Sequence, residues 1–268
     1  MIKLIASDMD GTLLNDRKEL PGDFFEVFDE LERRGIKFTV ASGRSFDAVA
    51  HLFPEEYRTR LDFICDNGAN VIHEGKQVSV TPLDRLTFEQ LIRACEDIGG
   101  LRVLVCAGRG TYHLTADAEF SAEIAKYYKN HIPCDDLLSV DDVIYKLAVC
   151  DMKGTQQHAK PAIDAIFGDR LNVQVSGPIW MDVMGAGVSK GSALRALGKH
   201  LGISAEDTMA FGDFYNDADM LKYAGWSFAM ENGNPDIKRM TRFLARSNNE
   251  NGVLRAIRQY ALQEDSIK

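Results

Sequence analysis

The sequence predicts an α/β protein: a doubly wound parallel sheet whose two halves are separated along the chain by an inserted α+β segment. Two observations predict it. Near both ends of the chain, short apolar runs alternate with stretches of helical periodicity over short connections, the pattern of strands and helices in a parallel sheet. Between them, hairpin-like strand pairs alternate with helices, a rhythm that a parallel sheet does not produce.

The first run, residues 2–6, is too short for a helix and reads as a buried strand. It stops at Asp8 and Asp10, one residue apart, before Gly11-Thr12. Carboxylates at a strand end followed by a Gly turn project from the carboxyl edge of the sheet, where open α/β sheets bind ligands. Taken alone, Asp-x-Asp-Gly is equally an ordinary polar turn. Residues 21–35 carry Phe24, Val27, Phe28 and Leu31 at helical spacing and close on Gly35. A second strand, 36–41, ends in Ser42-Gly43-Arg44. A short helix over 45–53 leads to a third strand, 63–65, which enters Asp66-Asn67-Gly68, and the pattern holds to about Thr81.

The middle begins with Thr87 and Gln90, spaced as a capping box for a helix running to Gly99-Gly100. Strands over 101–107 and 111–115 flank Gly108-Arg109-Gly110 in hairpin fashion. Helices are expected over 117–130 and 155–167, the latter disturbed at Pro161, with strands over 144–152, 171–176 and 179–184. From Gly185 the first rhythm returns. Ser189 is placed to cap a helix containing Lys190, Leu194 and Leu197. A strand over 208–211 runs into Gly212-Asp213-Phe214-Tyr215-Asn216-Asp217, and a helix (218–224), a strand (227–230) and further units complete the sheet. The polar end, 263–268, is expected to fray. The expected organisation is a discontinuous core domain, 1–82 and 186–268, interrupted by an α+β domain, 83–185.

Bulk properties narrow the function. The chain has 268 residues and 45% apolar content, enough for two domains. Lys and Arg number 31 against 40 Asp and Glu, a formal charge of −9, with no basic cluster of the kind that binds nucleic acid. Cys65, Cys95, Cys106, Cys134 and Cys150 are odd in number and form no CxxC pair, which fits reduced thiols in a cytoplasmic protein. The first apolar run is broken at Asp8, so neither a signal peptide nor a membrane span is expected.

Four strand ends therefore carry polar groups: Asp8/Asp10, Ser42/Arg44, Asn67 and Asp213/Asn216/Asp217, with Lys190 at a helix start. In a parallel sheet these ends share one edge and can converge. The ordered set Asp8-Met9-Asp10-Gly11-Thr12, Ser42-Gly43-Arg44, Lys190-Gly191 and Gly212-Asp213-Phe214-Tyr215-Asn216-Asp217 resembles the haloacid dehalogenase-like phosphohydrolases, in particular their Cof-type sugar-phosphatase branch. Asn67-Gly68-Ala69 and Asn248-Asn249-Glu250-Asn251-Gly252-Val253 match that branch too. The resemblance covers essentially the whole chain. It implies a Rossmann-like core, a cap domain and a Mg²⁺-dependent phosphatase acting on small phosphorylated metabolites through an aspartyl-phosphate.

The residue chemistry is consistent with that implication. A phosphate monoester dianion repels a carboxylate nucleophile by about 4 kcal/mol per pair of charges at ~4 Å and an effective dielectric near 20. A divalent cation and a lysine would remove that penalty. The expected metal ligands are Asp8 and Asp213, hard oxygen donors, with the backbone carbonyl of Asp10 by resemblance. Asp8 would be the nucleophile and Asp10 the acid and base, the latter keeping its proton near neutral pH through crowding by other anions. Ser42-Gly43-Arg44, Lys190, Asn216 and backbone N–H groups from Met9 onward would bind phosphate, and Asp217 would orient Lys190. Alone, Lys190 reads as a solvated helix residue, Asp217 as a helix cap, Arg44 as a surface residue and Asn67-Gly68 as a turn. Arg109 and His113 are candidates to read the leaving group, whereas Tyr112 and Trp180 favour core positions. A phosphomutase on the same core and a receiver-like phosphoacceptor are the alternatives. Neither nucleic acid, membrane nor an obligate protein partner is expected.

Overall fold

A computed structural model describes residues 1–115, 120, 124 and 130–263. The chain divides into two compact units, one of Met1–Arg44, Leu52–Ser79 and Ser189 onward, the other of Ser45–His51 and Val80–Val188. The short helix Phe46–Ala50 groups with the second unit, which the sequence pattern did not distinguish.

The first unit is built on an eight-stranded sheet. Its strands run in the order Phe243–Ala245, Trp226–Met230, Thr208–Gly212, Leu4–Asp8, Lys37–Ala41, Asp62–Cys65, Asn70–His73, Lys76–Val80. The first six are parallel. Leu4–Asp8 is central and wholly buried, with Leu4 level with Thr208 on one side and Lys37 on the other. Strands covered on both faces read as unbroken apolar runs, which is why this one was legible. Leu4, Ala6, Ala41 and Ile64 pack with Ala193, Leu194 and Leu197 of the helix Lys190–Leu201 and with Met220, Leu221 and Ile237. An aromatic cluster forms around Phe24 of the helix Phe24–Arg33, whose ring lies 5.4 Å from Phe38 and 5.7 Å from Phe53.

Two strands of this sheet were missed. Asp66, Asn67 and Gly68 all take left-handed backbone angles (φ 51, 54 and 105°) and reverse the chain, so that Asn70–His73 returns antiparallel to Asp62–Cys65. A Cβ on Gly68 would lie 2.2 Å from the Ser189 carbonyl oxygen, so only glycine fits this approach. The returning strands are four and five residues long and the outer one is partly exposed, too short for a clear alternation.

The second unit holds a six-stranded sheet in the order Leu171–Val175, Trp180–Gly185, Ile144–Asp151, Leu101–Ala107, Gly110–Leu114, His131–Cys134. All neighbours are antiparallel except the last pair. Phe88, Leu91 and Ile92 of the helix Arg85–Ile98 and Ile163 and Phe167 of the helix Ala159–Phe167 share a core with Val105, Leu147, Val149, Met181 and Val183. Two expectations need correction. The first of these helices starts earlier than Thr87, because the Asp84 carboxylate accepts the Thr87 N–H and caps it. The second starts at Ala159 rather than 155, which puts Pro161 in its first turn, where its missing N–H has no intrahelical partner to lose. The expected helix over 117–130 lies outside the described residues but for Phe120, Ile124 and Asn130, and so does all but the first residue of the end expected to fray. Phe120 stacks on Trp180 at 5.9 Å. Among the described residues, no helix is long and apolar enough to cross a membrane.

Phe24 packs against four neighbouring rings and is 1% exposed, so Phe24→Ala should cost about 3–5 kcal/mol. Chemical unfolding of the intact chain, followed by far-UV circular dichroism, should show the earlier midpoint.

Candidate active site

Asp8 closes the central strand, and Asp213 follows the adjacent parallel strand Thr208–Gly212, in which Phe211 is level with Ser7. Lys190 is the first residue of its helix, fixed there by a capping box. The Ser189 hydroxyl accepts the Ser192 N–H, and the Ser192 hydroxyl accepts the Ser189 N–H, both at 3.0 Å. The Lys190 side chain has no exposed surface, and its ammonium donates to Asp8 Oδ1 and, at 2.7 Å, to Asp217 Oδ1. The other Asp217 oxygen accepts the backbone N–H groups of Asp213 (3.0 Å) and Phe214 (3.1 Å). Asp217 thus makes no side-chain cap bond to the helix Ala218–Tyr223; it fixes both the lysine and the loop that carries Asp213. Asp213 Oδ1 accepts the Thr12 hydroxyl at 2.9 Å.

Asp8, Asp213 and Asp217 each offer a carboxylate oxygen, all within 4.8 Å of one another. Three carboxylates against one ammonium leave a charge of −2. Burial pushes the Asp8 carboxyl well above the usual range, against the pull of Lys190, and Asp217 and Asp213 push the same way. Burial, then Asp217, raises Asp213 to about 6. For Lys190, burial opposes the charge, but Asp217 and Asp8 outweigh it and its pKa is raised. Crowded hard oxygens with an unbalanced double negative charge suit a divalent cation such as Mg²⁺.

Asp10 belongs to a different group. Its carboxylate accepts from Arg44 Nε (2.9 Å) and Nη2 (2.6 Å) and from the Lys18 ammonium (2.8 Å). The expectation that crowding anions would keep Asp10 protonated is therefore overturned. Burial does raise its pKa, but Arg44 and Lys18 outweigh burial and lower it. Arg44, expected among the phosphate ligands, is paired to Asp10 in this structure. Gly11 makes this divergence possible: at φ 80° it turns the chain after Asp10, and a Cβ there would lie 2.7 Å from Asp213 Oδ2.

The remaining candidates sit near these groups. Ser42 is buried, and its hydroxyl accepts the Arg44 N–H at 3.1 Å. Gly43 lies against Asn67, whose side-chain oxygen accepts from Asn216 Nδ2 at 3.4 Å. The Met9 side chain is fully buried, which leaves its backbone as its only offering. Sequence reasoning gave no role to Thr12, Lys18, Asn232 or Asn248. Asn248 Nδ2 donates to the Leu14 carbonyl and to Asp16 Oδ1, both at 3.0 Å, and Asn232 Nδ2 donates to the Gly11 carbonyl at 2.8 Å. Thr12 and Asn248 stood inside quoted motifs, but only contacts reveal what they hold.

The two candidates in the inserted unit have structural partners. Arg109 pairs with Asp142 at 3.2 Å, and the Tyr112 hydroxyl donates to the same carboxylate at 3.0 Å. His113 is buried and shares a hydrogen bond with His131 at 3.1 Å. Asp182 is buried against Lys146 at 2.8 Å.

Because Asp213 titrates at about 6 when folded against 3.8 unfolded, its charged form opposes folding, and the stability it allows at low pH is lost as pH rises from about 4 to 6. Asp213→Asn should therefore stabilise the metal-free chain at pH 7 by on the order of 1–3 kcal/mol, a gain that vanishes near pH 4. Thermal melts of both chains across that range check this.

The family described as haloacid dehalogenase-like hydrolase matches residues 5–257. The 5-amino-6-(5-phospho-D-ribitylamino)uracil phosphatase YbjI of Escherichia coli strain K12 is 31% identical over 96% of this chain and 95% of its own length. The HMP-PP phosphatase of Klebsiella pneumoniae strain 342 is 28% identical over 89% of this chain and 87% of its own. The crystal structure of SMU.1108c from Streptococcus mutans UA159 superposes with a TM-score of 0.89 at 27% identity, covering 98% of this chain and all of that one (100%). The chain belongs to the haloacid dehalogenase-like hydrolases.

Proposed function

We propose that this hydrolase cleaves small phosphorylated metabolites by attack of Asp8 on phosphorus, through an aspartyl-phosphate, with Mg²⁺ as cofactor. That it is a phosphatase rests on the family and on phosphatase relatives that match it nearly end to end. The observation that carries the mechanism is the fully buried Lys190 ammonium on Asp8, beside the carboxylates of Asp213 and Asp217. Family membership tells against a receiver-like phosphoacceptor, and release of free phosphate would distinguish hydrolysis from a mutase.

Lys190 holds Asp8 Oδ1, which leaves Oδ2 to attack. As the Oδ2–P bond forms, the bond from phosphorus to the ester oxygen breaks; Asp10, which must first leave Arg44 and Lys18 and take up a proton from solvent, gives that proton to the departing oxygen. Asp10 then takes a proton from water, which attacks phosphorus and returns Asp8 as a carboxylate. For either step the Asp10 carboxylate must leave Arg44 and Lys18. Lys190, the Ser42 hydroxyl and backbone N–H groups from Met9 onward would meet the phosphoryl oxygens, with Gly43 and Asn216 beside them. Asp8 and Asp213, with the Asp10 carbonyl, would hold Mg²⁺, which supplies charge neutralisation for nucleophile and phosphoryl group. To the inserted unit we assign the choice of leaving group, with Arg109, exposed on a hairpin turn, and His113 as the candidates. Five free cysteines, four of them buried, support a cytoplasmic setting.

EDTA should abolish phosphate release from a panel of phosphorylated metabolites, and Mg²⁺ should restore it better than Ca²⁺, whose coordination is looser; full activity in EDTA would refute the metal assignment. Asp8→Asn should remove turnover and covalent labelling together. Asp10→Asn should slow a sugar phosphate by about 10²- to 10⁴-fold but p-nitrophenyl phosphate less, since that leaving group needs little protonation. Rapid quench with labelled substrate should then show a phosphoprotein; equal losses and no trapped species would sink the role given to Asp10.

A further inference from the structure

The Asp10 cluster carries more positive charge than its apparent task requires. Arg44 already holds the carboxylate with two hydrogen bonds, yet Lys18, whose charge also reaches the exposed Asp16, adds a second cation that hydrogen-bonds the same anion. Among the described residues, Asp10 is the only hydrogen-bonding partner of either cationic side chain. All three are open to solvent, at 34% for Arg44, 56% for Lys18 and 37% for Asp10. Ion pairs this exposed add little stability, so stability does not account for the second cation.

The lysine is also placed at a cost. Lys18 sits at φ 63°, a left-handed conformation that costs a residue with a side chain on the order of 1 kcal/mol. Its turn is closed by Asn15, whose side-chain oxygen accepts the N–H groups of Arg17 and Glu19 at 2.9 and 3.0 Å. Asn248 and Asn249 clamp the same turn through Asp16 at 3.0 and 2.9 Å. The loop is thus held from a distant part of the chain in a form that brings Lys18 to Arg44.

We propose that Lys18 and Arg44 bind a second anionic group on the leaving-group side of the substrate, so that preferred substrates are phosphate monoesters carrying a further carboxylate or phosphate near the ester oxygen. This rests on the phosphatase reading above and deepens it. When Asp10 turns to the leaving oxygen, the two cations lose their shared anion. A substrate anion close to that oxygen would replace it, satisfying both cations and freeing Asp10 in one exchange. A neutral leaving group offers no such exchange.

The test uses three two-carbon substrates with Mg²⁺: ethylene glycol monophosphate, phosphoglycolate and ethylene glycol bisphosphate. Any that is not turned over is scored by its Ki against p-nitrophenyl phosphate. The intact wild-type chain should favour at least one anionic compound over the neutral one by about tenfold, the worth of a charge-assisted hydrogen bond. Lys18→Met should erase most of that preference through KM or Ki, and Lys18→Arg should keep part of it. Continued hydrolysis of the neutral ester by Lys18→Met shows that the chain has folded. Preference for phosphoglycolate alone, or for the bisphosphate alone, identifies the anion as carboxylate or phosphate. A wild type indifferent to the second charge, or a Lys18→Met chain slowed equally on all three, would overturn the proposal and leave Lys18 as a mere support of Asp10. A wild type that releases phosphate from no ester, p-nitrophenyl phosphate included, would instead overturn the phosphatase reading beneath it.

Discussion

An ammonium group taken out of water costs several kcal/mol unless carboxylates meet it at close range, and Lys190 is met by Asp8 and Asp217. Satisfying that one buried cation fixes much of the rest. Asp217 must stand where its second oxygen also gathers the N–H groups of Asp213 and Phe214, which sets the loop after Thr208–Gly212. Asp8 must end its strand level with that loop, which the parallel register supplies. The Ser189 capping box keeps the lysine at the first position of its helix, so the ammonium enters from the helix start.

The two aspartates of the first strand end illustrate how environment divides labour between like groups. They are separated by one residue, yet Asp8 lies among carboxylates with a single ammonium while Asp10 lies between two cations. Burial and like charge push one carboxyl up; guanidinium and ammonium hold the other down. Opposite imbalances side by side give each group a different kind of ligand to seek: a cation for the first, an anion for the second.

How much of this the sequence carried depends on the range of the interaction. The doubly wound pattern, the helix cap at Ser189 and the convergence of Asp8, Lys190, Asp213 and Asp217 were legible, because apolar periodicity and strand-end position are local signals with a fixed geometric meaning. The two strands after Asn67 were not, since both are short and the outer one is partly exposed. Nor was the pairing of Arg44 and Lys18 with Asp10. That contact depends on a left-handed residue and on how a turn is held, and neither leaves a trace in residue spacing. Thr87 misled for a related reason: Asp84 also stands where a cap can form, and only the backbone shows which residue the helix uses.

The clamp on the loop after Leu4–Asp8 has a consequence for the order of events during synthesis. Asn248 reaches back 234 residues to the Leu14 carbonyl. A ribosome adding roughly 5–20 residues per second would take on the order of tens of seconds to bridge that gap. Throughout that interval the strand Leu4–Asp8 can exist without the brace that positions the turn after it. Contacts so distant in sequence also form late, because the closure entropy of a long loop must be met first. The nascent chain therefore carries Asp8 long before the turn that follows it can be braced.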